Sequence, residues 1–164
     1  MDIFHLNAFK DKFDTYYCKN NCLFTNIHCL VYCQDYFLIE CYLWSNIKKK
    51  CADTIKFTNK ETYNKIPFRY NFNCMVFDCE HIKDLFTEFV DYINTICTNQ
   101  SLVTGNIFVV MRNIQLFTKN HQKKISNIIE RQTKYIFICT STSISKITYD
   151  LQTRFHLDRL DSTC

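Results

Sequence analysis

The sequence predicts an α/β domain in which a central, mainly parallel sheet of five strands carries helices on both faces. Short apolar runs of strand length alternate along the chain with amphipathic segments of helix length, and this alternation is typical of parallel sheets. Hydrophobic residues make up 47% of the 164 residues and charged residues 22%, a composition typical of proteins that fold into a globular domain. No linker, repeat or low-complexity tract divides the chain, so we expect residues 1–164 to form one domain.

The individual elements follow from apolar runs and helical periodicity. The predicted strands are residues 28–33, 73–77, 106–111, 135–139 and 154–157. The predicted helices are residues 35–50, 80–97, 118–131 and 145–152, preceded by one within residues 1–25. Thr118 has a side chain suited to an N-cap and is expected to begin its helix. Residues 51–69 are expected to form an irregular connection around Pro67, with a short strand at 54–57.

Cysteine usage and the N-terminal residues predict the compartment. The sequence has eleven cysteines, an odd number that excludes complete internal pairing. No basic start and apolar run mark a secretory signal, and no uncharged apolar stretch approaches the ~18 residues that cross a membrane. We therefore expect an intracellular protein of a reducing compartment, cytoplasm or nucleus, with free buried thiols. The bias toward residues with AT-rich codons is typical of large DNA viruses, for which the compartment would be the host cytoplasm, and of AT-rich microbes.

Residues 106–157 carry the most specific pattern. A buried strand and a short loop lead to a helix that runs from HQ to IE at 121–130, followed by the strand 135–139, SKI at 145–147 and LQTRF at 151–155. This order resembles the second half of the AAA+ core of clamp-loader small subunits, namely replication factor C and the bacterial delta-prime subunit. That family has an AQ-AL-R-IE helix, a strand ending near Cys-Asn, an SKI turn and LQSRC. The resemblance implies a three-layer fold of the P-loop NTPase type, with the strands near 106 and 135 flanking the strand near 28.

The residues that bind and hydrolyse ATP in that family are replaced here. Where a phosphate loop needs glycines and a Lys-Ser/Thr pair, residues 33–41 read CQDYFLIEC, and the carboxylates of Asp35 and Glu40 would repel phosphate. Met111-Arg112 replaces the acidic pair that positions magnesium, and Thr140 replaces the Asn that senses the γ-phosphate. The resemblance therefore implies no nucleotide cofactor and no ATP hydrolysis. We expect residues 34–40 to enter a helix directly, without a wide loop.

One part of the family's machinery is retained. Thr153-Arg154 stands where the family has the Arg of its SRC motif, which points across a subunit interface at a neighbour's ATP, so Arg154 is a candidate trans arginine finger. In the alternative, Arg154 only pairs with a nearby carboxylate such as Asp158 or Asp161. We expect Arg154 to be solvent-accessible at the edge of the sheet. The resemblance ends with the core, so the expected domain lacks the family's helical lid and collar.

Four basic or titratable side chains gather at the start of the helix 118–131. The candidate nucleic-acid-binding residues are Lys119, His121, Lys123 and Lys124. In clamp loaders the corresponding helix faces the DNA channel, and lysines near a helix N-terminus can reach phosphates. Cations at that end are unfavourable for the helix itself, which favours a ligand there. The alternative is a solvated helix face, the usual explanation of a charge run.

Metal and thiol chemistry are weighed against ordinary core packing. The spacings Cys18-x3-Cys22 and Cys29-x3-Cys33 could suggest a four-thiolate zinc site, but structural zinc usually uses tighter pairs on glycine-containing turns. A second, weaker candidate combines Cys74, Cys79 and His81. No local sequence marks a Cys as activated by a His. We therefore expect buried thiols, no metal and no catalytic residue.

The expected function is a non-catalytic, clamp-loader-like protein of DNA replication or repair. It would bind DNA backbone, a replication partner such as a clamp-loader-like ATPase or a sliding clamp, or both, without hydrolysing ATP. The formal net charge of +4 permits a nucleic-acid partner without requiring one. The alternative is a repurposed interaction module, for example a viral protein that binds a host factor, with no nucleic-acid role. Neither hypothesis includes a membrane or a small-molecule substrate.

Overall fold

One sheet of seven strands runs through the computed structural model, which describes residues 25–51, 58–61, 65–71, 73–98 and 105–161. The strands are β1 (Cys29–Tyr32), β2 (Thr58–Glu61), β3 (Pro67–Asn71), β4 (Cys74–Asp78), β5 (Ile107–Arg112), β6 (Tyr135–Ser141) and β7 (His156–Arg159). Their order is β2-β3-β4-β5-β6-β1-β7. The five strands from β4 to β7 in that order are parallel, and β2 and β3 add an antiparallel hairpin.

The predicted sheet is correct in class and wrong in strand number. A mixed α/β fold with a mostly parallel sheet is confirmed, but the sheet has seven strands among the described residues where five were expected. Strand β2 lies in the segment 51–69 that was predicted to be irregular, and β3 begins in it and ends two residues beyond it. The predicted strand at 54–57 and the predicted helix within residues 1–25 lie outside the described residues, apart from residue 25.

The helices fill the connections between the parallel strands. They are α1 (Tyr36–Cys51), α2 (Cys79–Ile82), α3 (Phe86–Thr98), α4 (Lys119–Glu130) and α5 (Tyr149–Gln152). The helix predicted at 80–97 is divided into α2 and α3 by a 3₁₀ turn at Lys83–Leu85. Thr118 is the N-cap of α4, as predicted, because its hydroxyl accepts a hydrogen bond from the backbone N–H of His121 at 3.2 Å. None of the described helices has the length and apolar character needed to cross a membrane.

Two hydrophobic cores lie on opposite faces of the sheet. Along β1, Cys29 and Val31 pack against α1, whereas Leu30 packs on the other face, which α3 and α4 cover. Phe77 and Phe89 are fully buried in that second core with their rings 5.1 Å apart. Burial of each of these two rings contributes about 1.5–3 kcal/mol to the free energy of unfolding. Helices on both faces also explain why all seven residues of β6 are buried.

Of the two strands predicted to flank β1, one is its neighbour and the other is not. Strand β1 pairs with β6, as expected, but its other neighbour is β7 rather than β5. Strand β5 already has both edges occupied, by β4 and β6. Successive β-α-β connections place β4, β5 and β6 side by side, and the last connection carries the chain past β1 to its far edge.

Candidate functional site

The carboxyl ends of the parallel strands define the edge where a site is expected. Ligands of open α/β sheets bind at this edge, where adjacent strands send their connections to opposite faces of the sheet. Here those strands are β1, which leads to α1 on one face, and β6, which leads to α5 on the other. The connections after β1, β4, β5 and β6 all emerge at this edge, so the sequence-predicted departures from an ATPase lie close together.

The connection from β1 to α1 is short, and the helix is capped by its own side chain. Only three residues separate Tyr32, the end of β1, from Tyr36, the start of α1, which confirms the expected direct entry into the helix. The Asp35 carboxylate accepts hydrogen bonds from the backbone N–H groups of Phe37 at 2.9 Å and Leu38 at 3.2 Å. The N–H groups that would otherwise attract an anion therefore already have an anionic partner.

A partly buried ionic cluster lies beside this helix start, and we call it the Arg112 cluster (Tyr36, Glu40, Asp78 and Arg112). Arg112 is the last residue of β5, and its Nη2 lies 2.8 Å from Glu40 Oε2. Its Nη1 lies 3.3 Å from Asp78 Oδ2, at the end of β4. Arg112 Nε donates to Glu40 Oε1 at 3.0 Å, and Nη2 donates to the Tyr36 hydroxyl at 2.6 Å. The guanidinium is thus engaged on all three of its nitrogens.

The surroundings of Arg112 favour a permanent charge in this cluster. Its side chain is 15% exposed and that of Glu40 is 7% exposed. Burial alone would lower the pKa of Arg112, but the Glu40 carboxylate and its hydrogen bond outweigh burial, so the pKa is raised. Burial, followed by the nearby Glu40 charge, raises the pKa of Tyr36, which keeps the phenol protonated. One cation and two carboxylates remain, so the cluster opposes binding of a further anion.

Two clefts flank the Arg112 cluster along the same edge. One, of about 530 Å³, lies on the side of the β2-β3 hairpin. Its lining residues are Lys60, Glu61, Pro67, Phe68, Arg69, Val76, Asp78, His81 and Arg112. The other, of about 560 Å³, lies between the ends of β1 and β6. Its lining includes Cys33 and Gln34 from the short connection and Ser143 and Ser145 from the turn after β6, so it offers thiol, amide and hydroxyl groups.

The other replaced positions belong to the core or to backbone hydrogen bonding. Met111 is fully buried on the α3–α4 face of the sheet. Thr140 is 1% exposed, and its hydroxyl accepts a hydrogen bond from the backbone N–H of Asn113 at 3.2 Å. Asn113 adopts the left-handed region with φ of 61°, a conformation that Asn tolerates better than most residues. Thr140 therefore supports the turn that follows Arg112.

The structure keeps the three predicted lysines together and separates His121 from them. Lys119, Lys123 and Lys124 are exposed on α4. The imidazole of His121 stacks on the ring of Phe86 with centroids 3.8 Å apart, and it is only partly exposed. Burial, followed by the charge of Lys124, lowers the pKa of His121, so it is uncharged at neutral pH. Whether these residues bind nucleic acid stays a prediction.

Arg154 is partly exposed, as expected, and it forms ion pairs within the chain with two exposed carboxylates. Its Nη1 lies 3.2 Å from Glu130 Oε1, its Nη2 lies 4.0 Å from Asp150 Oδ1, and its Nε donates to Ser126 Oγ at 3.3 Å. The side chain is 30% exposed. Asp158 and Asp161, the partners considered from sequence, are engaged elsewhere: Tyr42 donates to Asp158, and Arg159 pairs with Asp161. The trans role of Arg154 stays a prediction.

The cysteines of the candidate metal sites do not converge where they are described. Cys74 packs in the core on the α1 face and Cys79 in the core on the opposite face, while His81 is exposed. No group of three metal-ligating side chains occurs within the described ranges. Cys29 and Cys33 are both buried on the α1 face, and Cys18 and Cys22 lie outside the described residues.

Four of the described thiols have pKa values unsuited to a nucleophile. Burial raises the pKa of Cys97 to about 12. Burial and the neighbouring Glu40 charge raise that of Cys41 to about 11. The pKa values of the fully buried Cys79 and Cys139 are raised by burial as well. These four side chains are thiols rather than thiolates at neutral pH.

Sequence reasoning singled out two of the four members of the Arg112 cluster and missed the cluster itself. Glu40 and Arg112 were each identified as a departure from an ATPase, and their mutual ion pair was not expected. Asp78 and Arg112 end two strands, and strands that run parallel end at the same edge of the sheet. That signal needs β4 and β5 to be neighbours, which periodicity does not reveal.

The fold is similar to that of AAA+ ATPases of known structure. Drosophila ORC in complex with GC-rich DNA and Cdc6 contains a similar chain, with 13% identity, a TM-score of 0.52, and coverage of 96% of this chain and 57% of that one. A chain in the structure of Drosophila ORC with AT-rich DNA and Cdc6 is also similar, with 13% identity and a TM-score of 0.51. The match covers 96% of this chain and 56% of that one. A DNA polymerase III gamma-subunit-related protein of Thermotoga maritima matches with 11% identity and a TM-score of 0.48. The match covers 95% of this chain and 45% of that one. This chain thus spans 45–57% of the length of these three chains. Protein-family profiles and curated protein sequences give no match.

Proposed function

We propose that this protein is a non-catalytic AAA+-like protein of DNA replication or repair, which binds DNA backbone, a replication partner, or both, without hydrolysing ATP. The Arg112 cluster is the observation that carries the non-catalytic part. It places a guanidinium and two carboxylates, in mutual contact, at the carboxyl edge of the sheet where proteins of this fold class bind ligands. The replication role is supported by the clamp-loader resemblance of residues 106–157 and by the AAA+ fold.

Nucleotide binding would have to overcome two arrangements of charge. A triphosphate at the start of α1 would meet the Asp35 carboxylate, which already accepts the first free N–H groups of the helix. Magnesium would have to displace Arg112 from Asp78 or Glu40 and leave a guanidinium without its partners. Removing one partner of a buried ion pair costs about 3–5 kcal/mol. Both arrangements disfavour the binding of ATP and magnesium.

Calorimetry with ATP and magnesium tests the non-catalytic part directly. We expect no heat of binding with protein at ~100 μM and ATP at up to millimolar concentration, and no phosphate release in a parallel turnover assay. An ordinary P-loop ATPase in the same buffer is the positive control for both measurements. Binding of ATP with micromolar affinity would contradict the proposal, because it would mean that the short connection and the Arg112 cluster open to admit phosphate.

The DNA-binding part is carried by the lysines of α4. Lys119, Lys123 and Lys124 are exposed, and none of them forms an ion pair with a described residue. If they contact phosphates, affinity should fall steeply with salt, and replacing each by Gln should reduce the salt slope by about one unit. Sequence preference should not change, since phosphate contacts carry no base information. Lys60→Gln, on the distant strand β2, is the control with the same change of charge.

A second candidate function is an interaction module without a nucleic-acid role. Exposed apolar side chains near the carboxyl edge favour it: Tyr149 is 82% exposed and Leu116 is 37% exposed. Exposed aromatic residues are enriched in protein interfaces. The absence of DNA binding at low salt, together with capture of one partner by the wild type but not by Tyr149→Ser, would favour this alternative over the first proposal.

A further inference from the structure

Charges of opposite sign are sorted onto two neighbouring helices. Asp84 in the 3₁₀ turn, with Glu88 and Asp91 on α3, forms what we call the acidic ridge. The exposed Lys119, Lys123 and Lys124 on α4 form the lysine ridge. No ion pair joins the six side chains to one another or to any other described residue. Two ridges of three unpaired charges thus lie on the same face of the sheet, the face that α3 and α4 cover.

The two ridges are matched in height along the helices. Both helices return the chain between adjacent parallel strands, β4 to β5 and β5 to β6, so they run in the same direction. The rings of Phe86 and His121 stack at 3.8 Å, which fixes these two positions at one level. Glu88 and Lys123 each follow the stacked pair by two residues, so they also share a level, because each residue advances a helix by about 1.5 Å.

We propose that this face binds a second copy of the same chain in a two-fold dimer, with the axis parallel to α3 and α4. Such an axis preserves height and direction along the helices, and it places each acidic ridge against the lysine ridge of the other copy. Glu88 then faces the partner's Lys123, and Asp84 lies near the level of the partner's Lys119. A two-fold axis across the helices would instead place acidic ridge on acidic ridge. Charge complementarity therefore selects both the occupant and the symmetry.

The dimer is expected to be weak and sensitive to salt. The exposed positions of α3 and α4 are polar or charged, with no large exposed apolar side chain among those of the two helices. Exposed ion pairs are individually weak and are screened within about 10 Å at 0.1 M salt. The interface uses the lysine ridge, so a second copy and DNA would compete for the same surface. The proposal does not depend on DNA binding, because the acidic ridge contributes half of every contact.

Sedimentation of charge-reversed variants at 50 mM salt tests the dimer. Glu88→Lys and Lys123→Glu should each weaken self-association of the wild type at least about tenfold, because each variant places like charges opposite one another twice per dimer. An equimolar mixture of the two variants should associate again, since both contacts of the mixed dimer then join opposite charges. Glu61→Lys, on β2, changes the net charge as Glu88→Lys does and should leave association unchanged.

The outcomes separate this inference from the proposed function. A wild-type protein that remains monomeric at ~1 mM and 50 mM salt would overturn the dimer, as would a mixture that associates no better than either variant alone. Glu88→Lys leaves the lysine ridge intact, so it should bind DNA at least as well as the wild type while failing to self-associate. Loss of DNA binding in Lys123→Glu with self-association unchanged would also overturn the dimer and would leave the DNA proposal standing.

Discussion

Replacing Arg112 by Met should destabilise the protein by about 3 kcal/mol, because it leaves two carboxylates without their cation. The side chains of Glu40 and Asp78 are 7% and 19% exposed, so water can replace the guanidinium only in part. Breaking a buried ion pair costs about 3–5 kcal/mol, and the partial exposure of Asp78 places this variant at the lower end. Tyr36 also loses its hydrogen-bond donor, although its exposure of 38% lets water compensate.

Urea unfolding at pH 7.5 measures this cost with a reporter that the site itself provides. Trp44 is the single tryptophan of the sequence, and its indole N–H donates to Glu40 Oε2 at 3.1 Å. The triple variant Arg112→Met, Glu40→Gln, Asp78→Asn removes all three charges and should recover most of the loss. Arg131→Met, which replaces an exposed arginine of similar size, should stay within about 0.5 kcal/mol of the wild type. A loss below about 1 kcal/mol for Arg112→Met would refute the reasoning that Glu40 and Asp78 depend on the guanidinium because water reaches them only in part.

Three further predictions concern stability. Burial lowers the pKa of His28 and of His121 below the usual 6.5, so the contribution of these two groups to stability should be constant above that pH and should fall as pH drops below it. The double variant His28→Asn, His121→Asn should flatten that decline when urea unfolding at pH 5 is compared with unfolding at pH 7.5. Thr118→Ala should cost about 1 kcal/mol through loss of the α4 cap, whereas Thr118→Ser should restore most of it in thermal melts. Arg154→Ala should cost less than about 1 kcal/mol, because Glu130 is 53% exposed, and a larger loss by urea unfolding would make this variant unusable as a probe of a trans role.

Four of the five parallel strands could be predicted from sequence because burial on both faces makes them continuous apolar runs. Strand β5 (Ile107–Arg112) and strand β6 (Tyr135–Ser141) are the clearest examples. Strand β7 (His156–Arg159) is largely exposed, and it begins two residues later than predicted. The hairpin of β2 and β3 could not be predicted in this way. Neither of its sequences, TNKE and PFRYN, is a continuous apolar run. Strand β2 is an edge strand and needs no such run, and β3 begins with a proline, which is unusual inside a sheet. Pairing with β4 decides their conformation more than local preference does.

The candidate site was predictable as a set of replacements and not as an arrangement. The clamp-loader resemblance implies that Arg112 stands where that family has an acidic residue, and that the Glu40 carboxylate lies where it would repel phosphate. The contact between them spans 72 positions and depends on the order of strands. The case of Arg154 is similar, because Glu130 becomes its neighbour only when α4 and α5 pack together. Tertiary neighbours of charged residues are the part that spacing along the chain does not determine.

The replacements at the carboxyl edge act together, and this bears on the proposed loss of nucleotide chemistry. An ATPase of this fold class balances the charge of its phosphates with a lysine and magnesium, so simple deletion of those groups would leave polar atoms without partners. Here Asp35 supplies the acceptor for the helix N–H groups, and Arg112 supplies the cation for Glu40 and Asp78. Side chains of the protein itself therefore provide the partners for these N–H groups and carboxylates. Placing an acidic residue at position 112 would add a third carboxylate beside Glu40 and Asp78 and remove their cation, which would destabilise this edge of the sheet.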